Sequence, residues 1–190
     1  MAEKIIEPEK PIRNVNVYLL LRNKSGTAWF DDVAVMEDPR RKGNIAREAE
    51  AAVDSSYSGY SAAPINDGIV HVAADAHWTE ESWASADEAK EHFIELTFEE
   101  ARTVERVVIY WSMDAGTPKT SREVRLEARD GDGWRSVQTV MPSGLEQETV
   151  FELDEAVTAS VLRLLQPSGR GSHERPNIMW VREVEVCEAD

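Results

Sequence analysis

The chain of 190 residues carries 36 acidic against 21 basic side chains, a formal net charge of -15, and such a field repels nucleic-acid phosphates and anionic lipid surfaces alike. Hydrophobic residues make up 42% and charged residues 30%, the balance of a globular protein, and no apolar run approaches the roughly 18 residues that a membrane helix needs. The single cysteine, Cys187, excludes an internal disulfide, and its place in an alternating segment reads as a packed side chain rather than a reactive thiol.

Along the chain, Met1 to Pro11 is charged and lacks the apolar stretch of a signal peptide. The sequence is therefore read either as cytoplasmic or as a segment of a longer secreted protein. Val15, Val17, Leu19 and Leu21 alternate with Asn16, Tyr18 and Leu20, as a half-buried strand requires. After a turn at Asn23 to Gly26, the run Thr27 to Met36 closes a β-hairpin, and Glu37 to Gly43 reads as a polar linker. This places a boundary between residues 1–43 and residues 44–190.

The second part opens with an expected strand at Ala46 to Val53 and a turn-rich loop, Asp54 to Ser61, that carries Tyr57 and Tyr60. Further strands are expected at Phe93 to Phe98, Val104 to Trp111, Glu123 to Ala128, Trp134 to Val140, Thr149 to Leu153, Ser160 to Leu165 and Met179 to Val186. Short strands at such spacing, separated by turn residues, indicate an all-β sandwich. Ser82 to His92 is dense in Ala, Glu and Lys and suggests a helical turn. Asp130-Gly-Asp-Gly133 is too short for an EF-hand ligand series and reads as a hairpin turn.

From Ala46 onward a set of landmarks recurs in order. They are Ile65-Asn-Asp-Gly68, Trp83-Ala-Ser85, His92-Phe-Ile-Glu-Leu96, Val104-Glu-Arg-Val-Val-Ile109, Trp134 after a Gly-rich turn, Val161-Leu-Arg-Leu164 and Val181-Arg-Glu-Val-Glu-Val186. With these the chain resembles the discoidin domain, the coagulation factor five/eight C-terminal type, which includes the family 32 carbohydrate-binding modules. The resemblance implies an eight-stranded antiparallel jelly-roll β-sandwich of the galactose-binding-domain-like class, with recognition loops at one end. Asn14 to Glu37 looks like the last two strands of another sugar-binding β-sandwich module; the other reading is an N-terminal extension of the same fold. In either case Trp29 and Phe30 are expected to pack on the sandwich or to stay partly exposed.

The resemblance also implies a calcium ion, at positions that correspond to Asp67 and Glu183, with backbone carbonyls completing the shell. Here Ile69 to Thr79 intervenes before Trp83, a departure from the pattern, and Asn66 and Asp75 are further candidate ligands. The other reading is that Asp67 simply caps its loop. Hard oxygen donors suit calcium in the first case.

A sugar site pairs an aromatic face with polar groups that meet the hydroxyls. On predicted loops the candidates are Tyr57, Tyr60, His77, Trp78, Lys119, Arg122, Arg170, His173, Arg175 and Asn177, with Trp180 at the edge of the last strand. Trp78 with His77 is the first choice, whereas Trp83, Trp111 and Trp134 are assigned to the core. The run Gly169 to Arg175 is locally basic, which points either to a carboxylated or sulfated sugar or to a solvated loop tip.

Catalytic patterns are missing. His71, His77, His92 and His173 do not form H-E-x-x-H, and Gly59-Tyr-Ser-Ala-Ala63 lacks the last glycine of a nucleophile elbow. The reading is a non-catalytic, extracellular carbohydrate-binding module whose partners are a glycan or polysaccharide and the tethered domains of a longer protein. A protein-interaction or spacer domain is the alternative. Neither nucleic-acid binding nor membrane insertion is expected.

Overall fold

The computed structural model describes residues 43–70 and 77–189. The expected hairpin at residues 14–37, with Trp29 and Phe30, the linker that follows it as far as residue 42, and the candidates His71 and Asp75 all lie outside the described residues.

Among the described residues nine strands form: β1 (Glu50–Val53), β2 (Trp83–Ala84), β3 (His92–Trp111), β4 (Met113–Asp114), β5 (Thr117–Pro118), β6 (Val124–Asp130), β7 (Gly133–Val140), β8 (Glu148–Gln166) and β9 (Trp180–Glu188). One short helix, α1 (Trp78–Glu81), precedes β2. Every pairing is antiparallel.

The sandwich arises because β3 and β8 each run through both layers. Ile94 to Thr97 of β3 pairs with β1, and His92 to Thr97 pairs with the C-terminal end of β8, whose other edge pairs with β6 and through it β7. The C-terminal half of β3 instead pairs with β9 and with the first half of β8, and β9 continues the second layer to β2. Between the halves the register shifts at Thr97/Arg102 and again at Val104/Arg106. Such bulges bend a strand and increase its twist, which carries it from one sheet to the other.

The all-β sandwich is as the sequence pattern indicates, and four local expectations are corrected. Phe93 to Phe98 and Val104 to Trp111 belong to one strand, as do Thr149 to Leu153 and Ser160 to Leu165. Of the polar residues between them, Arg102 pairs with Ala159 and Thr103 with Thr158, and the two threonine hydroxyls lie 2.9 Å apart. Polarity there marks exposure rather than a strand break.

The start of the first strand is also displaced. Asn44 Oδ1 accepts from both Ala46 N and Val186 N, at 3.0 Å each. This coils Ala46–Glu48 into a 3-10 turn and delays β1 to Glu50. Nor is the helical turn at Ser82 to His92 present, because Trp83 and Ala84 pair with Val181 and Trp180 of β9 and the helix sits earlier, at α1. Tertiary pairing outweighs the weak local propensity.

Trp83, Trp111, Ile94, Leu96, Ile109, Leu126, Phe151 and Leu164 fill the core with Val184 and Val186 of β9. Each indole removes about 150–250 Å² from water, a gross gain of about 4–6 kcal/mol. Trp111 Nε1 is satisfied by Thr149 Oγ1 at 2.8 Å and Trp83 Nε1 by Ser55 O at 3.0 Å. Trp134 departs from its core assignment. It stands half-buried on β7, at the sheet edge, with the Arg163 guanidinium 3.7 Å and the Arg129 guanidinium 4.8 Å from its ring centre.

Candidate functional site

Five connections meet at one end of the sandwich, and each is tied to another. Tyr57 N donates to Ala84 O, Ser112 N to Trp180 O, Trp111 N to Gln147 O and Arg122 N to Arg170 O, all at 2.7–3.1 Å. His173 Nε2 lies 3.2 Å from Ser143 O. In the loop after β7, Glu146 accepts from the backbone N–H groups of Ser143, Gly144 and Leu145 at 2.9–3.0 Å. Those donors outweigh partial burial and hold the Glu146 carboxyl down at about 2. The end is thus built of cross-braced loops on a rigid frame, the usual setting for recognition.

Four aromatic rings form a chain across it. Tyr57 meets Tyr60 edge-on at 6.3 Å, Tyr60 meets Trp180 edge-on at 6.0 Å, and Trp180 meets Trp78 at 6.3 Å with the planes inclined by 51°. Trp180 is only 7% exposed, whereas Trp78 is 52% and Tyr57 45% exposed. The chain therefore has a buried hub and two open ends. His77 caps α1 through Thr79 N, and its Nε2 accepts from Trp78 Nε1 at 3.1 Å, which orients the exposed indole. Burial, with the charges of Asp114 and Tyr57, raises the Tyr60 phenol above its ordinary 10.0, so it stays a neutral hydrogen-bonding group.

Beneath the rings lies a buried polar layer. Ser82 is fully buried; its Oγ accepts from Trp180 Nε1 at 3.0 Å and from Ser112 Oγ at 3.3 Å, and donates to Trp78 O at 2.9 Å. Ser85 Oγ accepts from Met179 N at 3.0 Å. The Tyr57 loop is anchored by a buried ion pair in which Asp54 Oδ2 lies 2.9 Å from His92 Nδ1, and His92 Nε2 lies 3.1 Å from Glu88 O. Two acceptors facing the two ring nitrogens call for the doubly protonated imidazolium. Burial opposes that charge, yet the Asp54 bond outweighs it and raises the His92 pKa, while His92, Ser55 and Phe93 N together lower that of Asp54.

The basic candidates are largely engaged by the protein itself. Lys119 is 4% exposed and pairs with Glu174, with Asp114 Oδ2 at 3.6 Å. Arg122 donates Nε to Gly171 O at 2.9 Å and a terminal nitrogen to Gly169 O at 2.7 Å, so it clamps the loop. Arg170 Nε lies 3.2 Å from Glu123 Oε2. His173 and Arg175 are exposed at the loop tip and Asn177 is half-buried. The structure brings together Tyr57, Tyr60, Trp78 and Trp180, and gives Lys119 and Arg122 structural work.

The candidate cation ligands converge in part. Glu183, fully buried on β9, accepts from Gly68 N at 3.1 Å through Oε2, while its Oε1 has no hydrogen-bond partner. Burial, followed by the neighbouring Asp67 charge, pushes Glu183 up to about 10. Asp67 Oδ1 also accepts from Ile69 N at 2.7 Å, so the loop-capping role is present as well. Asn66 turns its amide nitrogen to Ala46 O and Ala49 O, at 2.7 and 2.9 Å, and so braces the turn. Among the described residues no group of three or more His, Cys, Asp or Glu side chains gathers to hold a metal. The Asp67 and Glu183 pair, with an orphaned buried oxygen, nevertheless suits a hard cation completed by carbonyls.

Sequence reasoning missed Ser82, Ser85 and the Asp54–His92 pair. Serines carry no sequence signal of a buried role, and His92 stood at the start of an expected strand with its partner 38 positions away.

Comparison with curated proteins returns no match. Among solved structures, the chain is similar to the family 32 carbohydrate-binding module of Clostridium perfringens NanJ, solved with galactose: 14% identity, 76% of this chain, 97% of that one, TM-score 0.60. It is also similar to the lectin domain of lectinolysin, solved with Lewis B antigen, at 16% identity, 79% and 99% coverage and TM-score 0.62. A third similar structure is chitosan-binding module 1 of a Paenibacillus sp. IK-5 chitosanase/glucanase, at 21% identity, 75% and 97% coverage and TM-score 0.56. At these identities the likeness speaks for the fold alone. The F5/8 type C domain family matches residues 48–183, the whole span from the β1 turn into β9, and the chain belongs to that family.

Proposed function

We propose that this domain binds a neutral glycan at the aromatic chain, with Trp78 and Tyr57 as the open faces and Trp180 as their support. The observation that carries the reading is an indole 52% exposed at the start of α1, backed by a second indole at 6.3 Å. An exposed flat ring covers the C–H face of a pyranose. The galactose and the Lewis B antigen of two similar structures support that ligand class. Pairing of Lys119 and Arg170 with acids inside the protein favours an uncharged sugar over a sulfated one.

The function is binding without chemistry. Ser55, His92 and Asp54 lie together, but His92 is fully buried with Nε2 against a backbone carbonyl, so no base faces a substrate. In a longer extracellular protein such a domain raises the effective concentration of a tethered catalytic domain at a polysaccharide. Met141 and Leu145, 67% and 71% exposed at the rim, favour protein docking as the second reading.

A glycan array on the native chain and on Trp78→Ala tests this. Binding to a narrow set of neutral sugars, weakened about tenfold or more in Trp78→Ala at unchanged fold, is expected. No binding to any glycan, with calcium or with chelator, would sink it.

We also propose that calcium is held by Asp67 and Glu183 with backbone carbonyls. Bound calcium would displace the proton that Glu183 otherwise holds at neutral pH and compensate the carboxylate left behind. At 100 times its dissociation constant a native-state ligand adds about 2.7 kcal/mol, so calcium is expected to raise the melting temperature by about 5–10 °C. Glu183→Gln should abolish the rise. Equal melting curves with calcium and with chelator would rule the ion out.

A further inference from the structure

We propose that Ser82 is the positioning residue of the aromatic site, fixing the angle between Trp78 and Trp180 through one saturated hydroxyl. The inference rests on the glycan reading only where binding is concerned; the ring geometry stands by itself.

A serine hydroxyl has one proton to donate and two lone pairs to accept with. All three positions of Ser82 are filled: Trp180 Nε1–H and Ser112 Oγ–H enter, and Trp78 O receives. With no free position the hydroxyl has no rotational choice. Two of its three partners are the two tryptophans themselves, one held by the indole and the other by the backbone that carries the indole.

Other bonds make the arrangement stiff. Trp180 O accepts from Ser112 N at 3.1 Å, and Ala84 pairs with Trp180 in the β2–β9 ladder. The Trp180 backbone is therefore set by the sheet, and its ring direction by Ser82. Trp78 has no strand to hold it, since it begins a helix of four residues. Its tethers are the His77 ring, the Ser82 hydroxyl and the Trp180 face. Without the hydroxyl, Trp180 keeps its place in the strand but loses its azimuth, and α1 loses its bond to the floor of the site. An open indole face at Trp78 backed by Trp180 needs that angle kept before the ligand arrives, because ordering it on binding diminishes affinity.

Two indoles this close give paired lobes of opposite sign in far-ultraviolet circular dichroism, whose size follows their distance and angle. The test records that couplet, with no sugar present, for the native chain, Ser82→Ala, Ser112→Ala and Trp78→Phe. Trp78→Phe identifies the couplet by removing it. We expect Ser82→Ala to lose at least half of its amplitude while the strand spectrum and the melting cooperativity persist. Ser112→Ala, which removes a partner of Ser82 but touches neither ring, should retain it. Should Ser82→Ala not fold, Ser82→Cys, with a weakly accepting thiol in the same place, serves for the same comparison.

An unchanged couplet in the Ser82 variant, or an equal loss in Ser112→Ala, overturns the proposal. Titration with the neutral sugar that binds best on the array then reads the binding half, where an affinity about tenfold lower in Ser82→Ala is expected. If the native chain binds no glycan of the array while the couplet behaves as stated, the positioning role holds and the glycan reading is the one that fails.

Discussion

Asp54→Ala is expected to destabilise the domain by about 3–5 kcal/mol, because removing one partner of a buried ion pair leaves the other charge without compensation. The Asp54 side chain is 7% exposed and His92 not at all. The lost carboxylate also serves Ser55 Oγ at 2.7 Å and Phe93 N at 3.0 Å. A fall in melting temperature on the order of 10 °C follows for a domain of this size. Thermal unfolding at pH 5.5 measures it, and a deficit under about 1 kcal/mol would contradict the pair.

The same pair gives a pH dependence with a defined sign. His92 has a raised pKa, so its contribution is complete below the ordinary 6.5 and is lost as pH rises through the folded value. Asp54 has a lowered pKa, so its contribution is present above the ordinary 3.8 and is lost as pH falls through the folded value. The difference between native and Asp54→Ala should be largest between these two values and shrink at higher pH. Lys90 Nζ, 3.6 Å from Asp54 and paired with Glu88, retains some attraction there. A difference that stays flat to pH 9 would mean that the imidazole is neutral throughout.

Gly171→Ala is the second substitution expected to have a large effect. A Cβ at this position would meet three backbone carbonyls: Arg175 O, Ile178 O at 2.5 Å and Pro176 O at 2.9 Å. None of these is a side chain that can swing aside, and Gly171 N already donates to Pro176 O at 2.8 Å. Overpacking of this kind costs about 1–3 kcal/mol or more. Here relief requires the loop to open, and opening also loses the Arg122 clamp on Gly169 O and Gly171 O. We expect a lowered melting temperature, protease cleavage within residues 169–178 and weaker glycan binding. A native melting temperature with an intact loop would show that the turn accommodates the methyl.

Much of this architecture was legible in the sequence. β6, β7 and β9 lie within a few residues of their alternating patterns, since a strand with one face in a core writes its period directly into the chain. The continuity of β3 and β8 was not legible, because residues 99–103 and 154–156 are largely solvent-facing while the strand runs on past them. Charge misled in a similar way: Lys119 and Arg122 sit in loops and read as available, but their partners, Glu174 and the carbonyls of Gly169 and Gly171, are set by the fold. Trp78 was identifiable as an exposed aromatic, although it begins α1 rather than lying on a loop. The hydroxyl beneath it was not, because hydrogen-bond saturation is a property of three partners brought together from residues 78, 112 and 180.

β3 and β8 traverse both layers and share backbone bonds in each. One sheet therefore cannot slide over or part from the other without breaking the same two strands. The usual weak point of a sandwich, the greasy seam between separate sheets, is here stitched by continuous main chain. Partial opening of one layer has no inexpensive form, and the domain should melt and refold as a single cooperative unit. A force applied at the loop end is then borne by peptide bonds running the length of the fold.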